Sequence, residues 1–143
     1  MKFDNYMTLE FPSKSSNEAF ARAAVAGFAA QMDPTLEELG DIRTAVSEAV
    51  TNCIVHAYPE KLGIITLRCR ILKDNTFDVV IKDKGVGIQN LDQARQPMFT
   101  TGGADRSGMG FTIMESFMTN FSVASVPGKG TTVHMRRKLQ RRK

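Results

Sequence analysis

The sequence predicts an α+β fold, a two-layer sandwich with helices on one face of a mixed, mostly antiparallel sheet. Strand-like runs come as two hairpins, within residues 64–82 and 121–139, each around a short turn. Two helical stretches precede the first hairpin and a third separates the two. Helices grouped apart from hairpins are the mark of this class, whereas a parallel doubly wound sheet would alternate them strand by strand. At 143 residues, with 42% hydrophobic and 24% charged, the chain can bury one core, which excludes disorder throughout.

The elements follow in order. Residues 6–11 alternate loosely and stop at Pro12, as a short edge strand would. Ser15 to Glu18 has the spacing of a capping box and opens an Ala- and Phe-rich helix over 19–32. Asp33 is the expected N-cap of a second helix, with Pro34 at its first position. That helix carries Leu39, Ile42, Val46, Ala49, Val50 and Cys53 at helical spacing and runs to about Tyr58. Strands are expected at 64–72 and 77–82 around Lys73-Asp74-Asn75, followed by the glycine loop 83–87. A short helix near 91–95, a polar loop over 98–108, a helix at 110–118 and strands at 121–126 and 131–139 complete the chain.

The net charge is +4, but six of the nineteen basic residues fall in the last eight positions. Residues 1–135 therefore hold thirteen basic against fifteen acidic side chains, a balance of −2. One domain over 1–135 and a basic, frayed tail over 136–143 are expected. The tail leaves open a nucleic-acid-binding module; without it, no direct contact with nucleic acid is expected. No run approaches the roughly 18 apolar residues of a membrane span, and residues 1–5 lack a signal-peptide core, so a cytoplasmic protein with no membrane contact is expected. Cys53 and Cys69 are too few and too far apart for a redox pair or zinc cluster, and read as reduced core thiols.

Four pieces carry chemistry. Glu48, Asn52 and His56 repeat every four residues along one helix stripe, where a carboxamide oxygen can ligate Mg²⁺ and a carboxylate can accept a proton. Asp83-Lys84-Gly85-Val86-Gly87 follows a strand and lets backbone approach a flat ligand beside a hydrogen-bond acceptor. Ser107-Gly108-Met109-Gly110 precedes a helix, whose bare amides can bind phosphate. Gly128-Lys129-Gly130-Thr131 alone reads as a hairpin turn. Each piece is ordinary by itself, and no GxxxxGK[ST] loop occurs.

In this order and spacing the four pieces resemble the GHKL (Bergerat-fold) ATP-binding superfamily, over about residues 5–135. Ser47 to Asn52 (SEAVTN) and Gln96 to Thr101 (QPMFTT) are similar to the anti-sigma serine kinases, and Arg106 to Phe117 (RSGMGFTIMESF) to their sporulation anti-sigma F branch. The resemblance implies that Asp83 binds the adenine amino group with Thr131 beside it, and that Gly85 and Gly87 shape the adenine floor. It implies Asn52 as Mg²⁺ ligand and Glu48 as general base. Thr100, Thr101, Ser107, Gly108, Met109, Gly110 and Phe111 would form the phosphate and lid contacts, and Arg106 would grip the γ-phosphate. Arg22, among small apolar residues, is expected to stand clear of helix 1 and touch partners.

The activity so implied is an ATP- and Mg²⁺-dependent protein serine kinase. It would act as a homodimer that holds a sigma F-type sigma factor and phosphorylates an anti-anti-sigma factor on serine. A stress-type anti-sigma kinase or a GHKL ATPase with another partner is the neighbouring alternative. The chain departs from the pattern at Gly102-Gly103-Ala104-Asp105 in the lid, at Lys84 in the adenine loop, at Ala57 after His56, and in its basic tail.

Overall fold

The computed structural model describes residues 3–88 and 110–140. Five strands form one sheet in the order β1-β2-β3-β5-β4: β1 (Phe3–Pro12), β2 (Ile64–Leu72), β3 (Thr76–Asp83), β4 (Asn120–Val126) and β5 (Gly130–Lys138). All strand pairs among the described residues are antiparallel. Helices α1 (Ser16–Ala29), α2 (Leu36–Asn52) and α3 (Gly110–Phe117) complete the expected sandwich. The expected helix at 91–95 and loop at 98–108 lie outside the described residues. Among the described residues no helix is long and apolar enough to cross a membrane.

Period sets the layers. Phe77, Val79 and Ile81 alternate along the central strand β3 and point into the core. They meet Val25 and Phe28 of α1, Ile42, Val46 and Val50 of α2, and Phe111 and Met114 of α3, all at helical spacing. By the same parity Asp83, the last residue of β3, points toward the helices. It is buried, 5% exposed.

The helix starts differ from expectation. Ser15 makes no side-chain cap: its backbone is already helical (φ −58°, ψ −32°), and the Glu18 side chain instead accepts the Ser47 hydroxyl (2.5 Å) and pairs with Arg22 (3.3 Å). Asp33 does not cap α2: it sits in the left-handed region (φ 53°) and ends a short 3₁₀ turn, Ala30–Met32. Thr35 is the N-cap, in a full capping box with Glu38. Beyond Asn52 the helix widens into a π turn, Cys53–Ala57, which interrupts the straight stripe expected to continue to His56.

The basic tail is also corrected. β5 runs through Lys138, so Arg136, Arg137 and Lys138 belong to the sheet. Arg136 Nε donates to Asp78 (2.8 Å), and Arg137 bonds Asp41 and the Phe117 carbonyl. Acids far along the sequence, Asp78 on the neighbouring strand and Asp41 on α2, absorb charge that the sequence leaves unpaired.

Asp78 lies on the sheet face away from the helices, fully buried beneath Arg70, His134 and Arg136, each with a nitrogen within 3.1 Å. Burial alone would raise its carboxyl; hydrogen bonds from His134, Arg136 and Arg70 outweigh that and hold it below the usual aspartate range. Its stabilisation is therefore complete above the unfolded value near 3.9 and is lost as pH falls through the lower folded value. Asp78→Ala is expected to cost about 2 kcal/mol at neutral pH, on the scale of hydrogen bonds to a charged group. In urea unfolding the gap from the native chain should narrow below about pH 4. A gap independent of pH would show that packing, not charge, is what the substitution removes.

Candidate nucleotide site

Three expected residues meet where α2 faces the start of α3. Glu48 and Asn52 lie one helical turn apart, both half-buried. A Cβ added at Gly110 would lie 3.1 Å from Asn52 Nδ2, 3.4 Å from Asn52 Oδ1 and 3.4 Å from Glu48 Oε2. The glycine thus leaves a helix N-terminus open beside a carboxylate and a carboxamide. Bare amides suit phosphate, and the two oxygen donors suit a hard cation such as Mg²⁺.

A second group gathers at the end of β3. Asp83 Oδ1 accepts from the backbone N–H of Gly85 (2.9 Å) and of Thr131 (3.2 Å), its register partner on β5. Oδ2 accepts from the Cys53 thiol at 3.4 Å. Gly85 carries no side chain because a Cβ there would lie 2.2 Å from the Ala57 carbonyl oxygen of the π turn. Gly87 has φ +75° and would meet the Val126 carbonyl oxygen at 2.4 Å. The close approach expected of these glycines is therefore already made to the protein's own backbone, which fixes the loop. Lys84 is exposed, as expected of a change facing solvent.

Two further expectations are modified. The Phe111 side chain is a core residue, 5.8 Å from the Phe121 ring centroid, which leaves its backbone for any ligand contact. Arg22 is exposed but does not stand clear, since it pairs with Glu18 one turn earlier. Thr100, Thr101, Arg106, Ser107, Gly108 and Met109 lie outside the described residues.

The site also contains residues the motifs did not point to. Cys53 is the thiol donor to Asp83; burial first, then the adjacent carboxylate, push it well above its usual range, so it stays protonated. The Tyr58 hydroxyl accepts from the Lys84 N–H (2.7 Å) and donates to the Ile64 carbonyl (2.8 Å), tying the loop to β2. The Ser125 hydroxyl accepts from the Ile88 N–H (2.8 Å) and lies 2.8 Å from the Thr131 hydroxyl. Glu48 also lines an open hollow of about 470 Å³ with Arg22, Arg43, Thr44 and Ser47.

The chain has known relatives. Residues 11–137 fit the model of the histidine kinase-like ATPase domain. The anti-sigma F factor of Caldanaerobacter subterraneus subsp. tengcongensis is 56% identical over 142 residues, 99% of each chain. The chain belongs to the anti-sigma F factor family. Other family members include the anti-sigma F factor of Thermoanaerobacter sp., 54% identical over 94% of each chain, and that of Clostridium acetobutylicum, 49% identical over 95% of each.

More distant folds agree. A Mycobacterium tuberculosis crystal structure of RsbU and RsbW domains superposes with a TM-score of 0.71 at 16% identity, over 97% of this chain and 34% of that one. The histidine kinase domain of a blue-light activated kinase from Erythrobacter litoralis gives 0.59 at 20% identity, over 87% of this chain and 60% of that one. These likenesses show the fold. For this anti-sigma F factor family member, the ATPase domain implies nucleotide binding.

Proposed function

We propose that the protein is an ATP- and Mg²⁺-dependent serine kinase and anti-sigma factor. It acts in the cytoplasm as a homodimer, holds a sporulation sigma factor of the sigma F type, and phosphorylates an anti-anti-sigma protein on serine. The observation that carries this reading is the convergence of Glu48, Asn52 and Gly110, with Asp83 held at the end of β3 by the Gly85 and Thr131 amides. A carboxylate beside a phosphate-binding helix start is what a kinase needs and a simple nucleotide-binding module does not.

The residues fit the group they would hold. Asn52 would hold Mg²⁺ through its carboxamide oxygen, and the ion when bound supplies neutralisation of phosphate charge. Asp83, kept in place by the Gly85 and Thr131 amides, presents an acceptor edge to the adenine amino group. The N–H groups opening α3 orient the phosphates. Glu48 takes the proton from the incoming serine hydroxyl as its oxygen attacks the γ-phosphorus and the bond to the ADP oxygen breaks. Arg106 would grip the γ-phosphate, and Thr100, Thr101, Ser107, Gly108 and Met109 would line the lid and phosphates.

The test is transfer of labelled γ-phosphate from ATP to the anti-anti-sigma protein, beside sigma factor capture with ATP and with ADP. ADP release without phosphoserine would make the chain an ATPase instead. Arg22→Ala should weaken capture of both protein partners while nucleotide affinity holds. Intact capture of both would remove Arg22 from the partner surface and leave it as the counter-ion of Glu18.

A further inference from the structure

Glu48 borders two groups of residues. One is Gly110 and Asn52, on the nucleotide side. The other is Arg22, Arg43, Thr44 and Ser47, around the open hollow. In phosphoryl transfer the attacking and leaving oxygens lie roughly in line across the phosphorus. A hydroxyl that gives its proton to Glu48 therefore comes from the side away from the nucleotide, and the hollow, which Glu48 lines together with Arg22 of α1, is where we place it. Its volume of about 470 Å³ falls within the range of ligand clefts, roughly 300–1,000 Å³.

Charge in the hollow is unevenly committed. Glu18 is engaged twice, by the Ser47 hydroxyl at 2.5 Å and by Arg22 at 3.3 Å, so the charge of Arg22 is balanced from within α1. Arg43 is exposed on α2 and, among the described residues, forms no ion pair. A guanidinium is always charged, and its fork matches the two oxygens of a carboxylate. We propose that the hollow seats the phosphoacceptor segment of the protein substrate, and that Arg43 selects an acidic side chain close to the acceptor serine. The Thr44 hydroxyl lies beside it to bond the backbone of that segment. Arg43 is a specificity residue: it touches the substrate away from the reacting atoms. This inference rests on the kinase reading and adds the chemistry of the segment that the kinase accepts.

The experiment is steady-state phosphorylation of the anti-anti-sigma protein by the full chain carrying Arg43→Ala, Arg43→Lys or Arg43→Glu, with ATP affinity measured by calorimetry. Loss of a charge-assisted bond should raise KM for the protein substrate about tenfold in Arg43→Ala and more in Arg43→Glu. Arg43→Lys should recover part of the loss, and kcat and ATP affinity should stay within about twofold of native. Replacing the carboxylate nearest the acceptor serine with lysine should rescue Arg43→Glu and impair the native kinase. An unmoved KM, a fall in kcat alone, or a failed charge exchange overturns the proposal while leaving the kinase standing. A native chain that transfers no phosphate overturns both.

Discussion

Glu48→Gln is expected to bind ATP and the sigma factor as the native chain does, yet to phosphorylate the antagonist at least about 100-fold more slowly, the usual scale for losing a general base. The substitution keeps the shape that packs beside Gly110 and borders the hollow, so nucleotide and partner surfaces are preserved. What goes is the ability to take a proton from the attacking serine, since an amide oxygen is a far weaker base than a carboxylate. Single-turnover transfer with saturating ATP isolates the chemical step from binding. If transfer continues at the native rate, proton removal is not the task of Glu48 and its carboxylate serves the cation instead. If ATP affinity falls in parallel with rate, the side chain belongs to ground-state binding. The two results separate a base from a ligand, which the position between Asn52 and the hollow would suit equally well.

The legible parts of the fold are those written in period. Strand alternation over 64–72 and helical spacing from Leu39 to Cys53 are local patterns, and the structure keeps them within a residue or two. Side chains recruited from afar were not legible. Ser15 to Glu18 has a capping spacing, but Glu18 is drawn to Ser47, twenty-nine residues away. The working capping box at Thr35 and Glu38 has the same spacing, and the neighbouring Asp33-Pro34 masked it. The basic end looked like a tail because Asp78 and Asp41, which receive Arg136 and Arg137, are close only across strands and layers.

The site divides in the same way. The glycines and the Glu-xxx-Asn spacing are visible in sequence because turn geometry and helix pitch impose them. Cys53, Tyr58 and Ser125 are not visible, because each acts through a hydrogen bond to a residue distant in the chain. The π turn matters here. It brings the Ala57 carbonyl onto Gly85 and Val86, and so fixes the loop that aims Asp83.

Asp83→Asn should weaken ATP binding by about 1–3 kcal/mol, the cost of a mismatched buried polar contact, which is a loss of roughly 5- to 150-fold. The direction follows from the donors around the carboxylate. Oδ1 is held by two backbone N–H groups, of Gly85 and Thr131, so an asparagine will keep its oxygen there. Its NH₂ must then occupy the Oδ2 position, facing the Cys53 thiol and, in the proposed complex, the adenine amino group. Both are donors, and a donor set against donors forms no bond. The loop itself should stay folded, because the two amides that shape it remain satisfied. The same geometry gives a control with the opposite sign: inosine triphosphate presents an oxygen acceptor where ATP presents an amine. The variant should therefore lose affinity for ATP but hold or gain it for inosine triphosphate, and the native chain should prefer ATP. Calorimetry with both nucleotides on both proteins decides the matter. An Asp83→Asn variant that binds ATP like the native chain removes Asp83 from the base-binding edge. A variant that loses both nucleotides equally makes Asp83 a loop anchor and not a reader of the base.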